Sequence, residues 1–288
     1  MKRTIIFAHY DKDNMVDDYV VSYLAALRLL CKELIFVSDS DLSEEEKAKV
    51  KADKIIATKH GEYDFGSYKR GFEVMGDADE LVFCNDSCYL IGDLEPIFNT
   101  KADFFGVVTN TDKYAAHLQS YFVVFRRKVI ESDVFRNFMQ SITKLPKKQE
   151  IIEKYEVGMT QTLLNAGFKA SSFIQEEFRI SPTATEDYFK KLRPSGFPLL
   201  KTEMLKSNPG LVCNVARWKE GLSVNDIKVI NDHVSRMIGN TRNHWYITPF
   251  QRYFMTKQGW SRFLLSARIK NDKLTIKLLG LPILKVKI

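Results

Sequence analysis

The amino-acid sequence predicts an α/β protein with a mostly parallel sheet flanked by helices. Over the first hundred residues, short apolar runs rich in β-branched residues alternate with segments whose apolar residues recur at helical spacing. Polar loops follow several of these runs, as is usual where parallel strands end at a binding edge. The chain has 288 residues, of which 45% are hydrophobic and 27% charged, and this suits one large domain with an appendage.

The predicted elements begin with a strand, a loop and a helix. The first strand ends just before His9, and in the helix that follows Val20, Leu24 and Leu27 share one face. The predicted strands cover residues 3–8, 33–38, 54–57, 81–84, 104–108 and 121–125, and the predicted helices cover residues 16–30, 41–50 and 160–164. Strands that alternate with helices in this way form βαβ units.

Several classes of protein are excluded by what the sequence lacks. Four cysteines without a CxxC pair are too few for a disulfide scaffold, so we expect reduced thiols and no structural zinc. We expect neither a transmembrane helix nor a signal peptide, because the apolar runs are much shorter than the roughly 18 to 20 residues that cross a bilayer. The absence of a GxGxxG fingerprint and of a P-loop motif argues against hydride transfer and ordinary ATPase chemistry.

Positive charge is concentrated near the C-terminus. Residues 242–288 contain ten basic residues and one acidic residue, whereas the rest of the chain contains 33 basic and 35 acidic residues. We therefore expect residues 1–235 to form the main domain and residues 236–288 a basic aromatic region that docks on an anionic membrane surface or on the acceptor. Nucleic acid would be the competing partner. No zinc-finger spacing, RRM-type signature or heptad repeat supports it, so no nucleic acid is expected.

Within the basic region, the spacing predicts an amphipathic helix over residues 249–268 and then a β-hairpin. Aromatic residues such as Phe250 and Trp260 share one helical face, with basic residues on or beside the other, as in helices that lie at a membrane interface. The alternative is that this helix packs on its own domain. Residues 273–278 alternate like a strand, and residues 283–288 are predicted to be its return partner.

Polar side chains follow three of the predicted strands. His9, Tyr10 and Asp11 follow the first strand, residues 59–69 follow the third, and residues 85–87 follow the fourth. Because ligands bind beyond the carboxyl ends of parallel strands, we expect the functional site to be built from these loops.

These segments resemble the rhamnan synthesis protein F family of bacterial polysaccharide glycosyltransferases, over roughly residues 3–210. The most specific matches are the YDFG-Y-K element that starts at Tyr63 and the ND-S element that starts at Asn85. The matching segments are His9–Asp11, Tyr63–Gly71, Leu81–Ser87, Gln119–Phe125, Val157–Thr160 and Gly196–Lys201. The resemblance implies a GT-A-like, Rossmann-type nucleotide-sugar fold and the assembly of a cell-surface polysaccharide or a lipopolysaccharide glycan such as O-antigen.

The resemblance also implies the donor, whereas the cysteine usage and the basic C-terminal region indicate the place of action. The donor is expected to be dTDP-rhamnose or a related deoxysugar nucleotide, and the acceptor a lipid-linked glycan. We expect a cytoplasmic hexosyltransferase that is peripheral on the inner face of the plasma membrane and inverts the anomeric centre. The alternative is a non-catalytic module derived from a transferase fold, which binds a nucleotide sugar or a glycan without turnover.

The resemblance places Asn85, Asp86 and Ser87 where GT-A transferases commonly carry a DxD motif that holds a divalent metal. Asp86 is therefore the expected catalytic metal ligand for Mg²⁺ or Mn²⁺, which would neutralise the leaving diphosphate. Asn85 supplies only a neutral oxygen and Ser87 a hydroxyl, so Asp86 is the one anion of the motif. The alternative is that Asn-Asp-Ser forms an ordinary turn or helix cap.

The segment that starts at residue 59 is interpreted as a cradle for the donor nucleotide. Tyr63 would stack on the base, Asp64 would accept a hydrogen bond from the ribose or the base, Gly66 would let the backbone approach the ligand, and Lys69 would reach a phosphate. His9, Tyr10 and Asp11 are predicted neighbours of this donor site. The alternative is a turn that leads into a helix with aromatic core residues.

An inverting transfer needs a general base for the acceptor hydroxyl, and Glu156 is the predicted base. The prediction places Glu156 just ahead of the helix at residues 160–164, with Glu153 as a second candidate. The alternative is an exposed glutamate that is favoured near a helix N-terminus by the helix dipole. Three polar residues precede the predicted strand 121–125: His117, Gln119 and Ser120. They are predicted to line the acceptor side.

Overall fold

The structure, a computed structural model, describes residues 1–111, 115–239, 242–249, 265–270, 273–278 and 281–287. The strands are β1 (Arg3–His9), β2 (Glu33–Ser38), β3 (Lys54–Ala57), β4 (Glu80–Asn85), β5 (Cys88–Leu90), β6 (Phe104–Gly106), β7 (Thr109–Asn110), β8 (His117–Leu118), β9 (Phe122–Arg126), β10 (Ala170–Ser172), β11 (Glu177–Phe178), β12 (Leu199–Lys201), β13 (Leu265–Lys270), β14 (Lys273–Leu278) and β15 (Leu281–Lys287).

The α-helices are α1 (Asp18–Arg28), α2 (Glu44–Lys49), α3 (Tyr63–Val74), α4 (Arg127–Ile130), α5 (Asp133–Gln140), α6 (Lys148–Ile151), α7 (Gly158–Asn165), α8 (Thr202–Lys206) and α9 (Val224–Ile238). Two π-helical turns cover Ile152–Val157 and Tyr188–Leu192. Among the described residues, no helix combines the length and the apolarity that crossing a bilayer requires.

A seven-stranded sheet in the order β10-β6-β9-β4-β1-β2-β3 forms the centre of the molecule. The pairs β1–β2, β1–β4, β2–β3 and β6–β10 are parallel, whereas β9 runs antiparallel between β4 and β6. The predicted mostly parallel α/β sheet is therefore confirmed. Outside this sheet, β12 pairs antiparallel with β5, and this places residue 201 opposite residue 88, just after the end of β4.

The sheet is covered on both faces, because successive residues of its central strand belong to different cores. Ile5 packs in the same cluster as Tyr23 of α1, and Ile6 packs in the same cluster as Tyr68 of α3. The Tyr68 ring stacks on Phe83 of β4, with ring centroids 4.3 Å apart. A strand that is buried on both faces has a continuous apolar sequence, which explains the short apolar runs from which the strands were predicted.

The contact between α3 and β1 depends on Gly71. A Cβ atom at this position would lie 2.4 Å from Cγ2 of Ile6, closer than carbon atoms approach. We expect Gly71→Ala to lower the free energy of unfolding by about 1–3 kcal/mol, the usual cost of overpacking a core. Urea denaturation measures this change. The control is Gly76→Ala, whose Cβ would lie no closer than 3.6 Å to Glu33, and an equal loss in both variants would contradict the explanation.

Helix α9 and Trp245 pack on the main domain. The domain boundary expected at residue 235 lies inside α9. Beyond the helix, Trp245 is buried against Trp218, with ring centroids 6.1 Å apart, and its Nε1 donates a hydrogen bond to the carbonyl oxygen of Leu205 at 2.7 Å. Trp245 therefore contributes to the core of the main domain.

Strands β13, β14 and β15 form an antiparallel sheet of their own. The predicted hairpin is confirmed, since β14 pairs with β15 and Leu274 lies opposite Val286. The helix predicted over residues 249–268 is wrong at its end, because residues 265–268 belong to β13. Apolar and polar residues alternate with a period of two through β13, a pattern that fits a strand better than a helix. Residues 250–264 of that predicted helix lie outside the described residues.

Candidate active site

The loops after β1, β2, β3 and β4 meet at the carboxyl edge of the parallel strands. Asp86 Oδ2 accepts a hydrogen bond from the backbone N–H of Tyr10 at 2.8 Å, which joins the loops after β4 and β1. Asp39 Oδ1 accepts hydrogen bonds from the backbone N–H groups of His60 and Gly61 at 2.6 and 2.8 Å, which joins the loops after β2 and β3. Two aspartates thus fix the polar segments that the sequence predicts at this edge.

A chain of hydrogen bonds, which we call the polar chain, runs from Asp64 on α3 through Asn85 and Ser87 to Lys201 on β12. Asn85 Nδ2 donates to Asp64 Oδ2 at 2.7 Å, and Asn85 Oδ1 accepts from the Ser87 backbone N–H at 3.1 Å and from its hydroxyl at 2.5 Å. Lys201 Nζ donates to Ser87 Oγ at 2.9 Å and lies 4.0 Å from the ring centroid of Tyr121. Three predicted donor-site residues are therefore brought together with a lysine.

Two carboxyl groups at this edge are shifted towards their protonated forms. Burial raises the pKa of Asp64, and the charge of Lys201 opposes that rise while the charge of Glu156 adds to it. Burial also raises the pKa of Asp86 to about 8, helped by the negative charge of Asp64. At neutral pH Asp86 is therefore mainly a neutral carboxyl group, which is able to donate a hydrogen bond as well as to accept one.

Glu156 lies beside two of the residues predicted for the acceptor side. Its Oε2 accepts hydrogen bonds from the Ser120 backbone N–H, at 2.9 Å, and from the Ser120 hydroxyl. Its Oε1 lies 3.7 Å from His117 Nε2. We call Glu156, Ser120 and His117 the glutamate group. The Lys201 ammonium group lies over the Tyr121 ring, and Tyr121 directly follows Ser120 in the chain. The glutamate group and the polar chain are therefore neighbours.

The expected place of Glu156 ahead of a helix is wrong. The helical segment already begins at Lys148, and Glu156 lies in the π turn that joins α6 to α7. A π turn holds one residue more than an α turn, and such turns are frequent at functional sites. The second candidate, Glu153, is exposed, and its Oε1 accepts a hydrogen bond from Gln149 Nε2 at 3.2 Å. Gln119 donates through Nε2 to Ser181 Oγ at 3.1 Å and is not part of the glutamate group.

The first residue of α3 has an unusual backbone conformation. Tyr63 has a φ of 56°, in the left-handed region that costs a non-glycine residue free energy, and it is 46% exposed. Strain of this kind is concentrated at binding sites. The next residue, Asp64, begins the polar chain, so the exposed Tyr63 ring adjoins the site in the sequence.

Two donor-site predictions in α3 are not supported by the contacts. A Cβ atom on Gly66 would lie 2.3 Å from Cβ of Glu62, so the glycine accommodates the side chain of the residue just before its helix. Lys69 Nζ donates to the carbonyl oxygens of Gln140 and Ile142 at 3.3 and 2.9 Å, at the end of α5. The structure therefore does not bring Lys69 to the polar chain.

His9 and Asp11 are buried and bonded within the protein. His9 Nδ1 lies 2.8 Å from Ser38 Oγ, and burial lowers the His9 pKa to about 4, so that the ring is neutral at physiological pH. Asp11 Oδ2 accepts a hydrogen bond from Arg236 Nη2 of α9 at 2.5 Å. Of the residues predicted in this loop, Tyr10 is the exposed one, at 56%.

Arg236 binds three aspartates of the loop after β1. Besides Asp11, it donates through Nη1 to Asp13 Oδ2 at 2.9 Å and through Nε to Asp17 Oδ1 at 3.0 Å. Burial alone would raise the pKa of Asp11, but the guanidinium group holds that pKa below its ordinary value. The helix that contains residue 235 is therefore joined to the carboxyl edge by charge as well as by packing.

Sequence reasoning assigned no role to Lys201, Tyr121, Asp39 or Arg236. A signal existed for the first three, since Lys201 ends the matched segment that starts at Gly196, Tyr121 lies in another matched segment, and Asp39 directly follows a predicted strand. Arg236 gave no signal, because its partners lie more than 200 residues earlier in the chain.

The residues around Asp86 do not fit a divalent cation well. Mg²⁺ and Mn²⁺ favour ionised carboxylates with free oxygen atoms. Asn85 Oδ1 already accepts two hydrogen bonds, Ser87 Oγ accepts one from an ammonium group, and Asp86 Oδ2 accepts one from a backbone N–H. Within the described ranges, no group of three or more His, Cys, Asp or Glu side chains is arranged to hold a metal ion.

The sheet with its carboxyl-edge cluster defines an α/β fold, and the family match supports the class of glycosyltransferases. The chain belongs to the rhamnan synthesis protein F family, whose model matches residues 34–265. The virulence protein VirA of Vibrio anguillarum is 25% identical over 254 residues, a match that covers 72% of this chain and 81% of VirA.

Two solved glycosyltransferase structures are also similar to this chain. The glycosyltransferase GlyE of Streptococcus pneumoniae TIGR4 is 13% identical with a TM-score of 0.41, and the match covers 82% of this chain and 65% of that chain. The galactosyltransferase LgtC, in complex with donor and acceptor sugar analogues, is 12% identical with a TM-score of 0.36, and the match covers 84% of this chain and 98% of that chain. This chain thus spans just under two thirds of the GlyE chain.

Proposed function

We propose that the protein transfers a hexose, rhamnose or a related deoxysugar, from a nucleotide donor such as dTDP-rhamnose to a growing cell-surface polysaccharide or lipopolysaccharide glycan. The observation that carries this proposal is the juxtaposition of the polar chain and the glutamate group through the adjacent residues Ser120 and Tyr121. A nucleotide-sugar transferase needs a polar donor cradle and a base on the acceptor side, within reach of the same anomeric carbon. The family membership supports the same reaction class.

On the donor side, the exposed Tyr63 ring is suited to stack on the nucleotide base, and Asp64 next to it is suited to bind the ribose or base. The Asn85 amide holds the Asp64 carboxyl group by a hydrogen bond, so the group is fixed before ligand binds. Preorganised polar groups of this kind lose little entropy on binding.

On the acceptor side, Glu156 is the proposed general base of an inverting transfer. The acceptor hydroxyl oxygen attacks the anomeric carbon, its proton passes to Glu156, and the bond from the anomeric carbon to the phosphate oxygen breaks with its electron pair going to the nucleoside diphosphate. The Ser120 N–H and hydroxyl hold one oxygen of Glu156, so the other is directed towards His117 and the proposed acceptor hydroxyl.

The acceptor is proposed to be a lipid-linked glycan on the inner face of the plasma membrane. The ten basic residues after residue 241 support an anionic membrane surface as the place where this acceptor is met.

A thermal-shift screen against nucleotide sugars tests the donor. At a concentration about 100-fold above its Kd, a ligand that binds only the folded state adds about 2.7 kcal/mol of stability, or roughly 5 °C in the melting temperature of a chain of this size. We expect dTDP-rhamnose or a related deoxysugar nucleotide to give such a shift. Free rhamnose is the control, and the absence of a shift with every nucleotide sugar would contradict the proposal.

A further inference from the structure

The polar chain ends on a positive charge that forms no ion pair with a carboxylate among the described residues. Lys201 Nζ is bonded to a neutral hydroxyl, Ser87 Oγ, and lies on the face of the Tyr121 ring. In the part of the chain that the structure describes, neither Lys201 nor Lys206, at the end of α8, forms an ion pair. Half-buried ammonium groups without an anionic partner are unusual, because burial of an unpaired charge is costly.

The backbone fixes Lys201 beside the segment that follows β4. In the antiparallel pair β12–β5, Lys201 lies opposite Cys88, and the Thr202 backbone N–H donates to the Ser87 carbonyl oxygen at 2.9 Å. The ammonium group therefore reaches Ser87 from a rigid strand pair and not from a mobile loop. The charge of Lys206 also acts on Asp86, from the end of α8 that follows.

We propose that Lys201 binds the diphosphate of the donor and takes the place that a divalent cation would occupy beside Asp86. This inference rests on the proposed function, since it presumes a nucleoside diphosphate at this edge. The oxygen atoms of Asn85 and Ser87 that would ligate a metal are already hydrogen-bonded, and the lysine donates to one of them. As the bond to the sugar breaks, the ammonium group would stabilise the negative charge that develops on the leaving phosphate oxygen.

The test is calorimetric titration of the full chain with dTDP and with UDP in the presence of EDTA, and again with added Mn²⁺. We expect the unmodified protein to bind at least one diphosphate in EDTA, with an affinity that Mn²⁺ changes less than threefold. Lys201→Met should weaken that binding about 10- to 100-fold, which is the size of effect expected when a charge-assisted hydrogen bond to phosphate is lost. Binding of the corresponding nucleoside should not change, because the nucleoside has no phosphate.

Two further variants serve as controls for Lys201→Met. Lys228→Met removes an exposed lysine of α9 that pairs with Asp232, and it should leave diphosphate binding unchanged. Lys201→Arg keeps the positive charge. If Lys201→Met loses diphosphate affinity because the charge is missing, and not because the variant is unfolded, Lys201→Arg should retain most of that affinity. Equal melting temperatures of the unmodified protein and of these variants check the fold directly.

The failures of the two proposals are distinguishable. If diphosphate binding requires Mn²⁺ or Mg²⁺ and Lys201→Met binds as well as the unmodified protein, the lysine proposal is overturned while the donor proposal stands. If neither the diphosphates nor any nucleotide sugar binds with or without metal, both are overturned.

Discussion

Glu156→Gln is expected to lower the rate of sugar transfer by about 10²- to 10⁴-fold, the usual contribution of a positioned general base. The glutamine keeps the shape of the side chain, and its carbonyl oxygen can still accept the hydrogen bond from the Ser120 N–H. Donor affinity should therefore stay within about twofold, because the variant removes only the ability to take a proton. Initial rates of transfer, together with calorimetric donor titration, measure both quantities.

The matched control is Glu153→Gln, three residues earlier on the same helical segment but exposed. It should transfer sugar at the rate of the unmodified protein. A fall in both variants, or none in Glu156→Gln, would remove Glu156 from its proposed role. An unmodified protein that binds the donor but neither transfers nor hydrolyses it would instead support the non-catalytic nucleotide-sugar-binding module.

Arg236→Met is expected to lower the free energy of unfolding by about 2–4 kcal/mol near neutral pH. The guanidinium group is bonded to Asp11, Asp13 and Asp17, and two of these carboxylates are largely buried. Removing one member of a buried ion-pair network leaves charges without a partner and typically costs about 3–5 kcal/mol; partial exposure of Arg236 reduces this figure. Chemical denaturation measures the change.

The pH dependence of this loss has a definite sign. Because Arg236 lowers the pKa of Asp11 in the folded protein, the stabilisation is complete above the ordinary aspartate pKa of about 4 and is lost as the pH falls through the lower folded value. The difference between Arg236→Met and the unmodified protein should therefore shrink below about pH 4. The control is Lys228→Met, which breaks an exposed pair on the same helix and should cost less than about 1 kcal/mol at any pH. Equal losses in the two variants would show that Arg236 contributes no more than a surface charge.

The central sheet was predictable because each of its buried strands is encoded by a local pattern of apolar residues. The run Ile5-Ile6-Phe7-Ala8 is apolar on both faces and is bounded by polar residues, so four residues suffice to recognise it. The same reasoning failed at residues 265–268, where aromatic spacing suggested the end of a helix that starts at residue 249. The alternation in residues 265–270, which is also local, is the pattern that describes β13.

Part of the candidate site could not be predicted, because its residues are brought together from distant parts of the chain. Asp64, Asn85 and Ser87 were found because they follow strands of the same sheet, whereas Lys201 reaches Ser87 across 114 residues and Arg236 reaches Asp11 across 225. Nothing in the local sequence encodes such pairings. Lys69 was placed in the site because its residue type suits phosphate, but its helical position directs it to the end of α5.

The pairing of β12 with β5 also imposes an order on the assembly of the site. Helix α3, which carries Asp64, and strand β4, which ends at Asn85 just before Asp86, lie within the first 130 residues, together with every central strand except β10. Lys201 is synthesised later, and its contact with Ser87 closes a long loop, which slows folding. On the ribosome, where folding proceeds from the N-terminus, the side of the site that contains Asp64 and Asn85 is therefore made before Lys201 reaches it. If Lys201 binds the donor diphosphate as proposed, a nascent chain becomes able to bind it only after β12 has paired with β5.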